Sequence, residues 1–255
     1  LDIYGELLDS AYILHRVGRP ITRELWPFLR ATADHVVDIW QRPDCGIWEI
    51  RGEPQHFVSS KAHCWMALQR AGRIAKDRGF DGNQSAWADA ADAIMREIST
   101  KGVDPATNSF RQAYGSDQVD AALLQLQLRK VVRPDDPRMV ATIARIEAEL
   151  DASRGGDVPP GLIRRYRTTK LDDGLPPGEG VFLMCSFWLV DCYDEMGQVD
   201  KARELFERLL GYANDVGLYA EEFDPYEKRH LGNFPQAFTH LALISAAFNL
   251  DRRLG

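Results

Sequence analysis

The feature that most constrains the fold is an alternation of two kinds of helical segment along the chain. One kind carries an apolar stripe and a charged back, a pattern typical of a helix with one side in water. The other kind is apolar or small nearly all round, which is typical of a helix buried on most sides. The amphipathic segments are 22–41, 84–100, 137–151 and 199–215, and the buried segments are 3–17, 58–78, 119–129, 180–196 and 235–250.

The connections between these segments alternate too. Each buried segment leads to the next amphipathic one through a short link, and most of the return links are long. Such an asymmetry predicts helical hairpins in an inner and an outer layer, with the long loops at one end. Long loops without secondary structure are usually functional. The long loops are roughly 42–57, 101–118, 152–179 and 216–234.

This pattern predicts an all-α fold in which the helices form a double ring. A solenoid of short helical repeats is the alternative, but the repeats have no fixed short period and the loops are too long. A ring of six hairpins needs twelve helices, whereas this sequence of 255 residues predicts nine. We therefore expect residues 1–255 to form an incomplete ring whose missing helices precede Leu1.

Composition narrows the function classes. The net charge is −7 and no Lys/Arg block stands out, so we expect no nucleic-acid partner. The most apolar run, VFLMCSFWLV, is far shorter than the ~20 residues that span a bilayer, so we expect no membrane partner.

The 4 cysteines form no C-x-x-C pair, which favours buried free thiols and a cytoplasmic location. The 6 histidines lack metal-ligand spacing, so we expect no metal site.

The first complete long loop, RPDCGIWEIRGEPQHF, has more charged and aromatic side chains than a simple connection needs. Glu49 lies between Trp48 and Ile50, and an acid beside an indole is poorly solvated, so its pKa is expected to rise. Arg51 and His56 are suited to bind hydroxyl groups or a carboxylate. Taken alone, however, the loop favours a plainer interpretation, a surface acid beside an anchoring Trp.

The last complete long loop, GLYAEEFDPYEKRHLGNF, combines acids with aromatic residues, which suits carbohydrate binding. A calcium loop or a solvated acidic turn is the alternative, and the spacing matches no EF-hand. Glycoside hydrolysis needs two carboxylates across a pocket, one to protonate the leaving oxygen and one to activate water or attack the sugar. The residues concerned are Glu221, Glu222 and Asp224, with Tyr219, Phe223 and Tyr226 between them.

A third long loop places basic residues beside acids. This combination suits a polyhydroxylated ligand, and a charged, solvated loop explains it equally well. Its residues are Arg164, Arg165, Tyr166, Arg167, Asp172, Asp173 and Glu179.

The motifs GIWEIRGEPQHF, DAALL from Asp120 to Leu124, and EEFDP followed by LGNFPQAF resemble glycoside hydrolase family 15. That family contains glucoamylases, glucodextranases and bacterial trehalases. The resemblance implies an (α/α)6 toroid of twelve helices, of which this chain supplies about nine. It also implies an N-terminal β-sandwich and first helices that residues 1–255 lack, so we expect a single catalytic toroid domain without them.

The resemblance implies roles for named residues. Glu49 becomes the general acid and Glu221 the general base, with Glu222 as the alternative base. If the mechanism inverts the anomeric centre, the two carboxyl groups are expected ~6.5–9.5 Å apart. The residues expected to bind substrate are Trp48, Arg51, Arg165, Tyr166, Glu179 and Glu222.

We therefore expect an inverting hydrolase of α-glucosidic bonds, with trehalase favoured over a glucoamylase or glucodextranase. The alternatives are a toroid phosphorylase and an inactive, sugar-binding fragment. The expected partner is a small carbohydrate, trehalose or an α-glucan, and protein partners could be the N-terminal portion or a second copy. We expect no cofactor, although the resemblance leaves a dependence on phosphate and magnesium open.

Overall fold

The computed structural model describes residues 1–155, 158–167 and 179–255. Asp172 and Asp173 of the third long loop lie outside the described residues. The chain divides into two compact units. Unit 1 comprises 1–104 and 111–117, and unit 2 comprises 105–110 and 118–255.

Unit 1 is built around a long buried helix, α3, against which the other helices pack. The first and third helices approach so closely that a Cβ on Gly5 would lie 2.5 Å from the carbonyl oxygen of His63. Only glycine fits at that position. The elements are α1 (Asp2–Arg16), α2 (Trp26–Ile39), α3 (Val58–Arg78), α4 (Gln84–Lys101) and β1 (Val103–Asp104).

Unit 2 is built around α7, an apolar helix that α5, α8 and α9 contact. Two short 3₁₀ turns, Ala121–Leu123 and Ala152–Gly155, precede α5 and follow α6. The elements are β2 (Ser109–Phe110), α5 (Leu124–Leu128), α6 (Pro137–Leu150), β3 (Val181–Phe182), α7 (Leu183–Glu195), α8 (Val199–Leu210), β4 (Glu222–Asp224), β5 (Arg229–Leu231) and α9 (Ala237–Leu254).

Each of the nine predicted helical segments overlaps an α-helix of the described chain, although α9 continues to Leu254, beyond its predicted end. Local signals explain several boundaries. The side chain of Asp136 accepts a hydrogen bond from the N–H of Arg138, and Pro137 occupies the first helical position. Gly79 ends α3 with a left-handed φ of 63°. The prediction for 180–196 was wrong at its start, because Val181 and Phe182 form a strand with β4.

The predicted burial is confirmed for α3 and α7 and is wrong for α1 and α9. These two helices each leave an apolar face exposed, because no described element packs against it. Exposed side chains are Ile3, Leu7, Leu14 and Val17 on or next to α1, and Phe238, Leu241, Ile244 and Phe248 on α9.

Candidate active site

In unit 1, the loop between α2 and α3 is closed by a backbone pair at its neck. Asp44 and Gln55 exchange hydrogen bonds, with N–H to O distances of 2.9 and 2.8 Å. Above this neck, the N–H of Ile50 donates to the carbonyl of Cys45 at 3.0 Å, and the Ile50 side chain is buried. The loop is therefore an ordered turn with an apolar anchor.

Glu49 lies at the tip of this turn in an uncommon conformation. Its φ is 50°, in the left-handed region that non-glycine residues rarely adopt, and its N–H donates to the carbonyl of Gly46 at 3.2 Å. Strain of this kind costs on the order of 1–3 kcal/mol, and surrounding contacts must hold it. Such strain clusters at functional sites.

The surroundings of Glu49 differ from the expected ones. Trp48 is half-buried, and Glu49 and Arg51 are exposed. The expectation that the indole of Trp48 shields the carboxylate from water is therefore wrong for this structure. His56 stacks on the ring of Tyr114, with centroids 5.7 Å apart.

In unit 2, Glu221 is fixed just before β4 by one other residue. The N–H and the side-chain amide of Asn233 donate to the Glu221 carboxylate at 3.2 and 2.9 Å. In return, the Glu221 N–H donates to the carbonyl of Asn233 at 2.9 Å. Asn233 thus fixes the position of both the backbone and the carboxylate of Glu221. The LGNF segment contained this residue, but no spacing rule linked it to Glu221.

Glu222 is the first residue of β4, and its carboxylate contacts Gly180 instead of Asn233. In the antiparallel sheet β3-β4-β5 it pairs with Phe182 on one side and Leu231 on the other. Its carboxylate accepts a hydrogen bond from the N–H of Gly180 at 2.8 Å. Burial raises the pKa of Glu222, and the Gly180 N–H opposes that rise.

Arg165 is a buried cation near Glu222, surrounded by one acid and two aromatic rings. It forms an ion pair with Glu179, and its guanidinium lies over the rings of Tyr166 and Phe182, 4.6 and 4.9 Å from their centroids. Burial acts to lower the pKa of Arg165, but the hydrogen bond and charge of Glu179 outweigh it and the pKa is raised. Arg165 therefore remains a cation.

The predicted site residues consequently form two groups, one in each unit. Trp48, Glu49 and Arg51 share a turn of unit 1. The residues of unit 2 are Arg165, Tyr166, Glu179, Glu221 and Glu222.

Two of the three aromatic residues of the acidic loop are too buried to stack on a sugar, contrary to expectation. Tyr219 and Phe223 are 1% and 5% exposed, so neither presents a ring face to a ligand. Tyr219 instead packs edge-on against Phe187 in the core. Tyr226 is exposed. Both ring nitrogens of His240 have partners, since Nδ1 contacts the carbonyl of Gln236 and Nε2 accepts a hydrogen bond from the N–H of Tyr219.

The residues that the structure describes contain no metal-ligand cluster, no membrane-spanning helix and no disulfide. Within the described ranges, no group of three or more His, Cys, Asp or Glu side chains could hold a metal ion. The described helices include none with the length and apolar character that crossing a bilayer requires. The four cysteines are free thiols; Cys64, Cys185 and Cys192 are buried, whereas Cys45 is exposed, contrary to expectation.

Solved structures define the class of this fold. A wild-type glycosidase aligns with a TM-score of 0.81 at 21% identity, covering 98% of this chain and 66% of that one. A glucoamylase from Saccharomycopsis fibuligera aligns with a TM-score of 0.69 at 13% identity, covering 87% of this chain and 60% of that one. The fold is thus an incomplete all-α toroid of the glucoamylase type.

Sequence comparison then identifies the family. The family model for glycosyl hydrolases family 15 matches residues 1–248. This chain belongs to that family.

Curated relatives include a trehalase from Mycobacterium tuberculosis, 45% identical over 98% of this chain and 36% of its own length. A trehalase from Thermoplasma volcanium is 39% identical over 100% of this chain and 39% of its own length. The chain therefore spans well under half the length of these relatives.

Proposed function

We propose that the protein carrying this chain is an inverting glycoside hydrolase that cleaves α-glucosidic bonds, with trehalose as the favoured substrate. Membership of glycosyl hydrolases family 15 supports the reaction class. The trehalase names of the relatives at 45% and 39% identity support the substrate. Residues 1–255 are proposed to be part of one catalytic toroid domain.

In this mechanism, Glu49 is the general acid and Glu221 the general base. The acid protonates the glycosidic oxygen while the base takes a proton from a water that attacks the anomeric carbon from the opposite face. The observation that carries the choice of base is the double hydrogen bond from Asn233 to the Glu221 carboxylate. It orients a carboxylate, and a general base needs a fixed direction toward its water.

The sugar contacts follow from the surroundings of each acid. Trp48 and Arg51 flank Glu49 and are proposed to contact the substrate there. Arg165 is proposed to bind sugar hydroxyls, with Glu179 and Glu222 supplying acceptors. Tyr166 is 2% exposed and lies under Arg165, so its proposed contribution is made through that guanidinium.

The test is hydrolysis of trehalose by the intact protein with Glu49→Gln or Glu221→Gln. Each change removes a proton-transfer group, so we expect kcat to fall by about 10²–10⁴-fold in each variant. Glu53→Gln and Glu227→Gln are matched controls, because both acids are exposed on the same two loops. Both controls should keep wild-type turnover. Near-normal turnover of Glu49→Gln or Glu221→Gln would overturn the assignment.

Glu222→Gln separates the two candidate bases. It should retain more turnover than Glu221→Gln, because the side-chain oxygen of the introduced glutamine can still accept the hydrogen bond from Gly180. The reverse order would assign the base to Glu222.

Product analysis tests the mechanism and the alternatives. Inversion releases one β-glucose and one α-glucose from each trehalose, whereas retention releases two α-glucose molecules, and NMR distinguishes them before mutarotation. A carboxyl separation of ~6.5–9.5 Å between Glu49 and Glu221 is the corresponding prediction for an experimental structure. Glucose 1-phosphate as product would indicate a phosphorylase, and faster turnover of maltose than of trehalose would favour a glucoamylase type.

We further propose that the protein is cytoplasmic and needs no cofactor. The four free thiols, three of them buried, support a cytoplasmic location. The proposed partner is a small carbohydrate, and the proposed mechanism uses two protein carboxylates and no cofactor. Turnover measured with and without added phosphate and magnesium tests that independence.

A further inference from the structure

Lys61 is a buried cation at the base of the loop that carries Glu49. It lies in the first turn of α3, and its side chain is 0% exposed. Its ammonium donates to the carbonyl of Trp40 at 2.5 Å and to that of Arg42 at 2.6 Å. Burying a charge is unfavourable unless it is paired or hydrogen-bonded, so a buried lysine at this position needs an explanation.

The two acceptors lie where α2 ends. Helix C-termini leave carbonyl groups without intrahelical partners and carry a partial negative charge. An ammonium group both donates hydrogen bonds to these carbonyls and offsets their partial negative charge, because it has three N–H donors and a positive charge. The cation therefore fixes the path of the chain as it leaves α2.

That path leads directly to Glu49 through a series of backbone contacts. Two residues beyond Arg42, the chain enters the neck pair of Asp44 and Gln55. Gly46 follows, with a φ of 67°, where a Cβ would lie 3.0 Å from the ring of buried Phe57. The next contact is the hydrogen bond from the Glu49 N–H to the Gly46 carbonyl.

We propose that Lys61 is a positioning residue for Glu49, an inference that rests on the proposed function. By holding the end of α2, Lys61 sets the entry of the loop, and the loop in turn holds Glu49 in its left-handed conformation. Without the ammonium, the carbonyls of Trp40 and Arg42 lose their buried donor and the entry is free to shift. Misplacing a catalytic group by about 1 Å can lower a rate about 100-fold.

The main test compares Lys61→Met with Lys76→Met in the intact protein. The first change keeps the apolar stem and removes the donors, and the second alters an exposed lysine of the same helix. We expect Lys61→Met to lower kcat for trehalose by about 10- to 100-fold with KM within about 2-fold of wild type. Lys76→Met should match wild type. A folded Lys61→Met protein with wild-type kcat would overturn the proposal.

A local readout distinguishes positioning from general destabilisation. Hydrogen exchange at the amides of Ile50 and Gln55 should become faster in Lys61→Met, while that of Ala71 in the middle of α3 stays slow. Faster exchange throughout α3 with unchanged exchange in the loop would contradict the proposal.

A second variant decides the matter if Lys61→Met does not fold. Gln55→Pro removes the N–H that closes the neck, at a half-buried residue outside the helices. It should lower kcat in the same way without touching the core. Wild-type kcat in Gln55→Pro would overturn the proposal. If Glu49→Gln keeps its turnover, the proposed function fails instead, and the exchange experiment still reports whether Lys61 holds the loop.

Discussion

Glu221 and Asn233 hold each other through three hydrogen bonds, two onto the Glu221 carboxylate and one from its backbone N–H. Gly232, next to Asn233, has a φ of 73°, and a Cβ there would lie 2.9 Å from Oε2 of Glu221. The absence of a side chain at this position is what lets the carboxylate and the asparagine meet. This relationship gives a direct test of how sensitive the proposed base is to its placement.

Gly232→Ala should displace the Glu221 carboxylate and lower kcat for trehalose by about 10- to 100-fold. Gly217→Ala is the matched control, because Gly217 has a φ of 79° and nothing within 4 Å of an added Cβ. Both changes add left-handed strain of about 1–2 kcal/mol, which urea unfolding measures. Only the first should impair turnover, and equal kcat values in the two variants would refute this account of Glu221.

The buried carboxyl group of Asp191 should make the stability of unit 2 depend on pH. It is 4% exposed and accepts hydrogen bonds from Ser245 and Asn249 at 3.0 and 2.9 Å. Burial raises the pKa of Asp191 to about 6, and the two hydrogen bonds only partly oppose it. Between pH 4 and 6 the folded state therefore binds more protons than the unfolded state, so this group's contribution to stability falls as pH rises through that window.

Asp191→Asn should remove this dependence. We expect the variant to be more stable than wild type by roughly 1–3 kcal/mol at pH 7–8, and to lose that advantage at pH 4. Urea unfolding from pH 4 to 8 measures the difference. Asp200→Asn is the control, since Asp200 on α8 is 99% exposed and should leave the pH profile unchanged. An unaltered slope in Asp191→Asn would show that other groups cause it.

A buried ion pair predicts the response of unit 1 to charge removal. Arg70 donates to Asp9 at 2.7 Å, and the two side chains are 7% and 6% exposed. Asp9→Ala leaves a buried guanidinium without this carboxylate and should cost about 3–5 kcal/mol of unfolding free energy. The double change Asp9→Leu with Arg70→Met should recover most of that loss, because no buried charge remains.

The more exposed ion pair of Lys101 and Glu97 is the control for the buried pair of Asp9 and Arg70. Both side chains are in contact with solvent, so Glu97→Ala should cost no more than about 1 kcal/mol. Chemical unfolding of the single and double variants gives all the values. A loss in Asp9→Ala as small as that in Glu97→Ala would mean that the buried pair contributes little.

Local sequence signals predicted most of the helices, because capping and periodicity act over a few residues. Val58–Arg78 was predicted with both of its ends, and Asp136 and Pro137 marked the start of α6. The short strand at Val181 and Phe182 was missed, because its partner β4 begins about 40 residues later in the chain. A two-residue strand has no periodicity of its own, so only its long-range pairing defines it.

For the site, the sequence by itself determined the family, the two acidic loops and the residue types that could serve as acid and base. Only the tertiary structure decided which side chains are available. It buried Tyr219 and Phe223, exposed Glu49, turned Glu222 toward Gly180 and set Asn233 against Glu221. The physical reason is that burial, strand pairing and hydrogen bonding depend on residues distant in the chain, whereas motif and periodicity depend on neighbours.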